Sequence, residues 1–458
     1  MRMLGGRLRG HRTAMLAGLV VGVAAVLVPR APWSDSAGRT PCPGHAGIVV
    51  AAGTDVSAGA ERRALVREWN LRHQDDPDLQ ARIVEISSLA DLQRSQLAAV
   101  SEGRGCDYDV LTLDAPWTAE FADRKEIIPF PLPHGWDDDF LRELRPSVTR
   151  HGTVYALPFN ADVGLLYYWN DARRQAPVGL PDLLGQAAEA VTAHGFQAGY
   201  SLQLADYEGA TVNALELIWG FGGDVVRDDR VVIDTYAAQV RSALAAVHAN
   251  LPPQVAGIDP TAGDATEESS IQAFEAHRVA FMRNWPYAFR TLAADPRMRS
   301  GGRLRFGVSP LPGPSVLGGQ NLAISSYSRK KEEARRLIEF LTDRDAESRL
   351  FACGGFVPAR ESAYRAPRPC ADASPGEQPI GQADLTQLAA QIRQAIARAR
   401  PRPLTPAYQE FSEVFRRCLR AAAFEAGEVD VDFGAFARLL SAAYSGRPVR
   451  TEPDRPCG

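Results

Sequence analysis

Four short stretches gather residue types that could hold a polar ligand. Asp114 follows the apolar run Asp109 to Leu113 and is itself followed by Ala115-Pro116-Trp117. Asp162 stands in a break, Phe159-Asn160-Ala161-Asp162, between a short strand pattern and the apolar aromatic run Val163 to Trp169. Arg283-Asn284-Trp285-Pro286-Tyr287 arrives at the end of the strand pattern Val279 to Met282, where Pro286 blocks further pairing. Gly318-Gly319-Gln320 opens another strand. A carboxylate accepts two donors at once, a guanidinium donates in a fork, and an indole offers a flat apolar wall. These are tools for gripping a molecule that is polar at its edges and apolar on its faces. Each residue also has an ordinary reading. Asp114 could cap a helix starting near Trp117, Trp285 could be a core aromatic, and Arg360 a surface ion-pair partner.

The elements that would position these residues alternate. Ile48 to Ala52 reads as a buried strand, Glu61 to His73 as a helix with Leu65, Val66 and Trp69 on one face, Ala81 to Ile86 as a strand, and Leu89 to Val100 as a helix. Asp109 to Leu113 is a third strand. This order argues an α/β fold with a doubly wound, mostly parallel sheet, and ligands in such sheets lie beyond the carboxyl ends of the strands, where Asp114 falls. His151 to Asn170 is the pivot of the chain. Val154 to Leu157 is a strand that Pro158 ends, and the run from Val163 enters a second sheet, so two lobes are expected with a ligand between them. Farther on the pattern repeats more loosely. Leu180 to Ala193, Asn213 to Phe221, Ala237 to Ala249, Ser269 to Ala276, Lys330 to Thr342 and Ala346 to Phe351 read as helices. Val231 to Asp234, Val279 to Met282 and Phe306 to Pro312 read as strands.

Composition narrows the classes. A chain of 458 residues, 45% hydrophobic and 23% charged, suits a globular protein of two or more units, and its net charge of -4 gives no pull toward nucleic acid. Arginine dominates the basic residues, with lysine only at 125, 330 and 331, and the arginines are scattered. Arg2, Arg7, Arg9 and Arg12 precede the apolar run Ala14 to Val28, the pattern of an export signal or of a signal anchor left uncleaved. Residues 1–42 are therefore read as signal plus linker, and the tail from Arg447 as disordered. Export makes Cys42, Cys106, Cys353, Cys370, Cys418 and Cys457 disulfide candidates. Cys42 and Cys106 precede two parallel strands near the middle of the first sheet, which predicts a bridge between them. Cys353–Cys418 and Cys370–Cys457 are the expected remaining pairs. Neither CxxC nor a zinc-ligand spacing occurs, so no metal or other cofactor is expected.

Taken in order, VLTLDAPWTAEFA (110–122), ALPFNADVGLLYYWND (156–171), YEGATVNALELIWGFGGDVV (207–226), AFMRNWPYAF (280–289), FGVSPLPG (306–313), GGQNLAISSYS (318–328), GGFVPARESAY (354–364) and RPLTPAYQEFSEVF (402–415) resemble the family-one solute-binding proteins of bacterial ABC importers, the group of maltose and trehalose binders. The resemblance implies a two-lobed, type II periplasmic-binding fold, with residues 43–157 and 311–352 in one lobe, 158–310 and 353–446 in the other, and crossovers near Pro158, Leu311 and Gly354. It implies a monomer that holds a carbohydrate in the cleft and hands it to permease subunits outside the cytoplasm. Asp114 and Asp162 match hydroxyl-binding carboxylates, Trp285 a stacking aromatic, Arg360 a cleft arginine, and Gly319 a glycine that lets backbone approach the ligand. Gln320 stands where the group usually carries Trp, and Asn160 where an aromatic is common. With Trp117 these complete the candidate set, and fewer aromatic walls imply a smaller or more polar ligand than a long maltodextrin. Two other readings stay open: a secreted glycosidase using paired cleft carboxylates, and a membrane-anchored sensory module. Against the first, HExxH, GxSxG and the P-loop pattern are all missing.

Overall fold

A computed structural model describes residues 45–87, 90–103, 107–132, 135–170, 177–250, 259, 263–365, 367–370, 380–425, 431–449 and 457. Strands are Ile48–Gly53 (β1), Ala81–Ile86 (β2), Val110–Asp114 (β3), Ala156–Val163 (β4), Leu165–Trp169 (β5), Ala198–Ser201 (β6), Val279–Asn284 (β7), Phe306–Pro310 (β8), Val316–Ile324 (β9) and Arg400–Pro401 (β10). They form two main sheets. The first runs β10-β9-β3-β1-β2 with β4 on the other edge of β9, and the second runs β8-β5-β7-β6. The nucleus β2-β1-β3 is parallel, as the alternation of strands and helices predicts. The strands next to the crossings are antiparallel: β9 against β3 and β4, and β5 against β7 and β8. A strand that arrives from the other sheet needs no helical return, so it is free to take either direction. Both faces of β1, β3 and β7 are buried, which explains their continuous apolar runs.

The crossing expected at Pro158 lies at Gly164 instead. β4 continues through Pro158 to Val163, and the first residue after Gly164 already belongs to the second sheet. Pro158 is tolerated because the ladder shifts register there: Asn321 faces Pro158 while Gln320 faces Asn160, so Phe159 is the extra residue of a bulge. Gly164 is required at the crossing, since a Cβ would lie 2.7 Å from a Glu216 carboxylate oxygen and 2.9 Å from the Arg283 guanidinium. A second crossing, 311–315, joins β8 to β9. Farther on, a single π-helical turn, Leu350–Gly354, is followed by Gly355 at φ +81, where a Cβ would lie 2.9 Å from Arg290 and 3.1 Å from Tyr287.

Smaller differences follow from tertiary contacts. The strand expected at Val231 to Asp234 is a two-residue ribbon, Arg230–Val231 on Val226–Arg227, and a turn follows it. The helix expected from Asn213 begins earlier, at Glu208, and that expected from Ser269 begins at Glu267 behind a Thr266 capping box. Among the described residues the disulfides are Cys353–Cys370 and Cys418–Cys457, not Cys353–Cys418 and Cys370–Cys457. Each closes a loop within its own segment, 17 and 39 residues apart, whereas the expected pairs required the two segments to meet. Cys457, in the tail read as disordered, is thus bonded to Cys418. Cys42, Cys106, the N-terminal apolar run and most of 447–458 lie outside the described residues. Among the described residues no helix is long and apolar enough to cross a membrane.

Candidate functional site

Strand β9 carries the site because it is paired on both edges. Gln320 faces Asp114 of β3 on one side and Asn160 of β4 on the other. Directly opposed residues share a face, and residues two apart share it again. Gly318, opposite Asp162, therefore lies on the same face as that row. Three distant stretches thus place Asp114, Gln320, Asn160 and Asp162 together through sheet register alone. Gly319 must be glycine for a backbone reason: its φ is +126, and a Cβ would meet the Asn160 carbonyl oxygen at 2.2 Å. The close approach it permits is between β9 and β4.

The row borders a cleft of about 520 Å³, within the roughly 300–1,000 Å³ common for small-molecule sites. Asp114, Trp117, Asn160, Asp162, Trp285, Gly319 and Gln320 all line it; Arg360 does not. The Arg360 guanidinium lies 3.9 Å from the centre of the Phe140 ring, 3.7 Å from Asp139, and donates through Nε to the Thr342 carbonyl. It fastens the segment after the π-helical turn to Phe140, Asp139 and Thr342. Asp114 does not cap the helix Trp117–Asp123, whose first turn has no side-chain cap.

The cleft arginines are others. Arg402, only 5% exposed and placed just after β10, donates to Asp114 Oδ1 and, through Nη1, to Glu208 Oε1 at 2.7 Å. Burial alone would lower the Arg402 pKa, but Asp114, Tyr408 and Glu208 hold it well above the ordinary value. Glu208, at the start of its helix, also accepts from Tyr408 and from Ser412 Oγ at 2.6 Å. Burial raises its pKa against these partners. Arg62 is likewise 5% exposed and donates through Nη2 to Gln320 Oε1 at 2.6 Å.

The opposite wall comes from β7. Its Arg283 is fully buried and makes a two-fold bond to Glu216, with both contacts at 2.8 Å. Its guanidinium lies 3.7 Å from the centre of the Trp285 ring, a cation under an indole face. Trp285 is fixed further. Its backbone N–H donates to Asn284 Oδ1 at 2.8 Å, its carbonyl accepts from Tyr167 Oη at 2.8 Å, and its Nε1 donates to Glu267 Oε1 at 3.3 Å. Glu267 also accepts from Tyr207 Oη at 2.5 Å. The Asp162 carboxyl is pushed up to about 8, first by burial and opposed by Arg283 and the Val163 N–H.

Sequence reasoning missed Arg62, Glu208, Glu267 and Arg402. Arg62 carried a signal, since it falls with Leu65, Val66 and Trp69 on the buried face of its helix, where a charge needs a reason. Glu208 and Arg402 lie within the matched stretches but in no recognised role. Glu267 sits in a run of polar residues with no distinguishing mark.

Two sheets joined by crossings, with a polar and aromatic cleft bordered by both, define a binding protein that encloses a small solute. The family model for bacterial extracellular solute-binding proteins matches residues 76–374, and the chain belongs to that family. A probable ABC transporter-binding protein of Deinococcus radiodurans is 28% identical over 289 residues, which is 60% of this chain and 66% of that protein, just under two thirds of its length. Maltose-bound MalE3 of T. maritima superposes with a TM-score of 0.68 at 29% identity, covering 83% of this chain and 95% of that one. The GacH receptor of Streptomyces glaucescens shares the fold, with a TM-score of 0.66 at 19% identity over 87% of this chain and 96% of its own.

Proposed function

We propose that this protein captures a carbohydrate outside the cytoplasm and presents it, unaltered, to the permease of an ABC importer. One observation carries the reading: the Asp114 carboxylate and the Asp162 carboxyl, both from the first sheet, line one cleft with an anchored indole, Trp285. A carboxylate takes two hydroxyl protons, a protonated carboxyl can donate to one hydroxyl and accept from another, and the indole covers the C–H face of a sugar ring. The maltose carried by MalE3 at 29% identity supports the same ligand class. The crossings at Gly164 and 311–315 serve as hinges, so that ligand bridging both walls closes the cleft around it. Binding without chemistry is favoured over hydrolysis because Asp114 Oδ1 is tied to Arg402 and the Ala115 N–H, which makes it an anchored acceptor.

The test is a thermal-shift screen of the exported protein against mono- and disaccharides, with product analysis of each hit. A ligand that binds only the folded state raises Tm by linkage, and the sugar should be recovered intact. No shift with any carbohydrate would refute the ligand class, and accumulation of cleaved sugar would replace transport with hydrolysis.

A further inference from the structure

Arg62 is a buried cation on the cleft wall with no carboxylate partner. The described residues place no acidic oxygen within ion-pair distance of it, its Nε has no hydrogen-bond partner, and its one side-chain bond is to a neutral amide, Gln320 Oε1. The face of Phe356 lies 4.5 Å away. Of the acids nearby, Asp55 accepts backbone N–H groups of Ser57 and Arg62, and Glu85 pairs with Arg63 at 2.6 Å. Burial pulls the Arg62 pKa down, and Asp55, Glu85 and Asp162 only partly oppose it. The residue also stands in the first turn of the helix Glu61–Arg72, where the macrodipole disfavours a positive charge. A position that is costly in three ways and opens on a ligand cleft is a group waiting for its partner. Beside it Asn160 Oδ1, in a residue 4% exposed, is also without a donor. The other cleft acids are engaged elsewhere: Asp114 and Glu208 share Arg402, and Glu267 accepts from Tyr207 and Trp285.

We infer that the ligand is a carbohydrate bearing an anionic group, a carboxylate or a phosphate, which Arg62 takes while Asn160 receives a neighbouring hydroxyl. The planar guanidinium fork matches either anion. This rests on the carbohydrate reading above and narrows it.

The test is calorimetric titration of the full-length protein with neutral sugars, each paired with its uronic-acid and its sugar-phosphate counterpart, and with inorganic phosphate alone. At least one anionic sugar should bind ten or more times tighter than its neutral parent, and which counterpart wins separates carboxylate from phosphate. Arg62→Gln should bring that ratio close to one, and Arg62→Lys should keep part of it. Neutral sugars binding as tightly as both counterparts would overturn the inference and leave the carbohydrate reading standing. No binding by any sugar would remove both. Phosphate alone matching the phosphosugar would overturn it in favour of a bare anion site. The unliganded Arg62→Gln protein should melt no lower than the parent; a drop of several degrees would assign Arg62 a structural role instead.

Discussion

Two arginines flank the cleft, and they are solved in opposite ways. Arg283, from the second sheet, is fully buried, doubly bonded to Glu216 and covered by Trp285. Burial would lower its pKa, but Glu216 more than restores it, so the charge is held above its ordinary value. Arg62, on the first sheet's side, is almost as buried, yet it is met by an amide and a ring and is pulled below its ordinary value. One charge is paired with a carboxylate and serves the scaffold, although its Nη1 has no hydrogen-bond partner. The other is left incomplete. Glu216 also accepts the Val316 N–H at 2.9 Å, and the pair fills the space left by Gly164. This pair therefore pins two crossings between the sheets, which is where a binding protein needs a stable pivot.

The sharpest way to break this contrast is Glu216→Ala. It strands a fully buried guanidinium and frees the Val316 N–H, and the cost should be about 3–5 kcal/mol of stability, read from urea unfolding. A loss under 1 kcal/mol would mean that Arg283 is no more scaffold than Arg62. Next in size is Trp285→Ala, which uncovers Arg283 and removes the apolar wall. Ligand affinity should fall by about 2 kcal/mol or more, at least thirtyfold, as for a buried aromatic anchor. The circular-dichroism spectrum should stay unchanged.

Asp162 tests the first-sheet wall through pH. Its carboxyl is raised by burial to about 8 in the folded state. A raised acid favours the protonated form on folding, so its contribution is fully present below the ordinary carboxyl range and is lost as pH climbs through about 8. Asp162→Asn should flatten the fall of Tm between roughly pH 4 and 8. An unchanged slope would show the carboxyl to be ordinary. The smallest effect is expected at the unfinished arginine: Arg62→Met should change the stability of the unliganded protein by less than about 1 kcal/mol, since losing the amide bond is offset by relief of desolvation.

The alternation of short apolar runs with amphipathic helices was enough to place Asp114 at the end of a parallel strand, because strand ends and burial leave a period in the sequence. Asp162 and Trp285 could be picked out for a similar reason, Asp162 in the break just before an apolar run and Trp285 just after one. The ordered family stretches added the two-sheet plan. Some things had no local signal. Pro158 marks a break in any single strand, and only a partner strand with a matching bulge lets β4 run through it. The cysteines could be counted but not paired, since pairing depends on which segments approach. Arg360 and Arg402 are both arginines near prolines, and nothing along the chain distinguishes the one that packs on Phe140 from the one that bridges Asp114 and Glu208. Charge partners are chosen across hundreds of residues by sheet register and helix placement. The sequence alone determined which groups the protein owns and roughly which ends of elements carry them. The tertiary structure decided which charges are spent on one another and which, like Arg62, are left for something else.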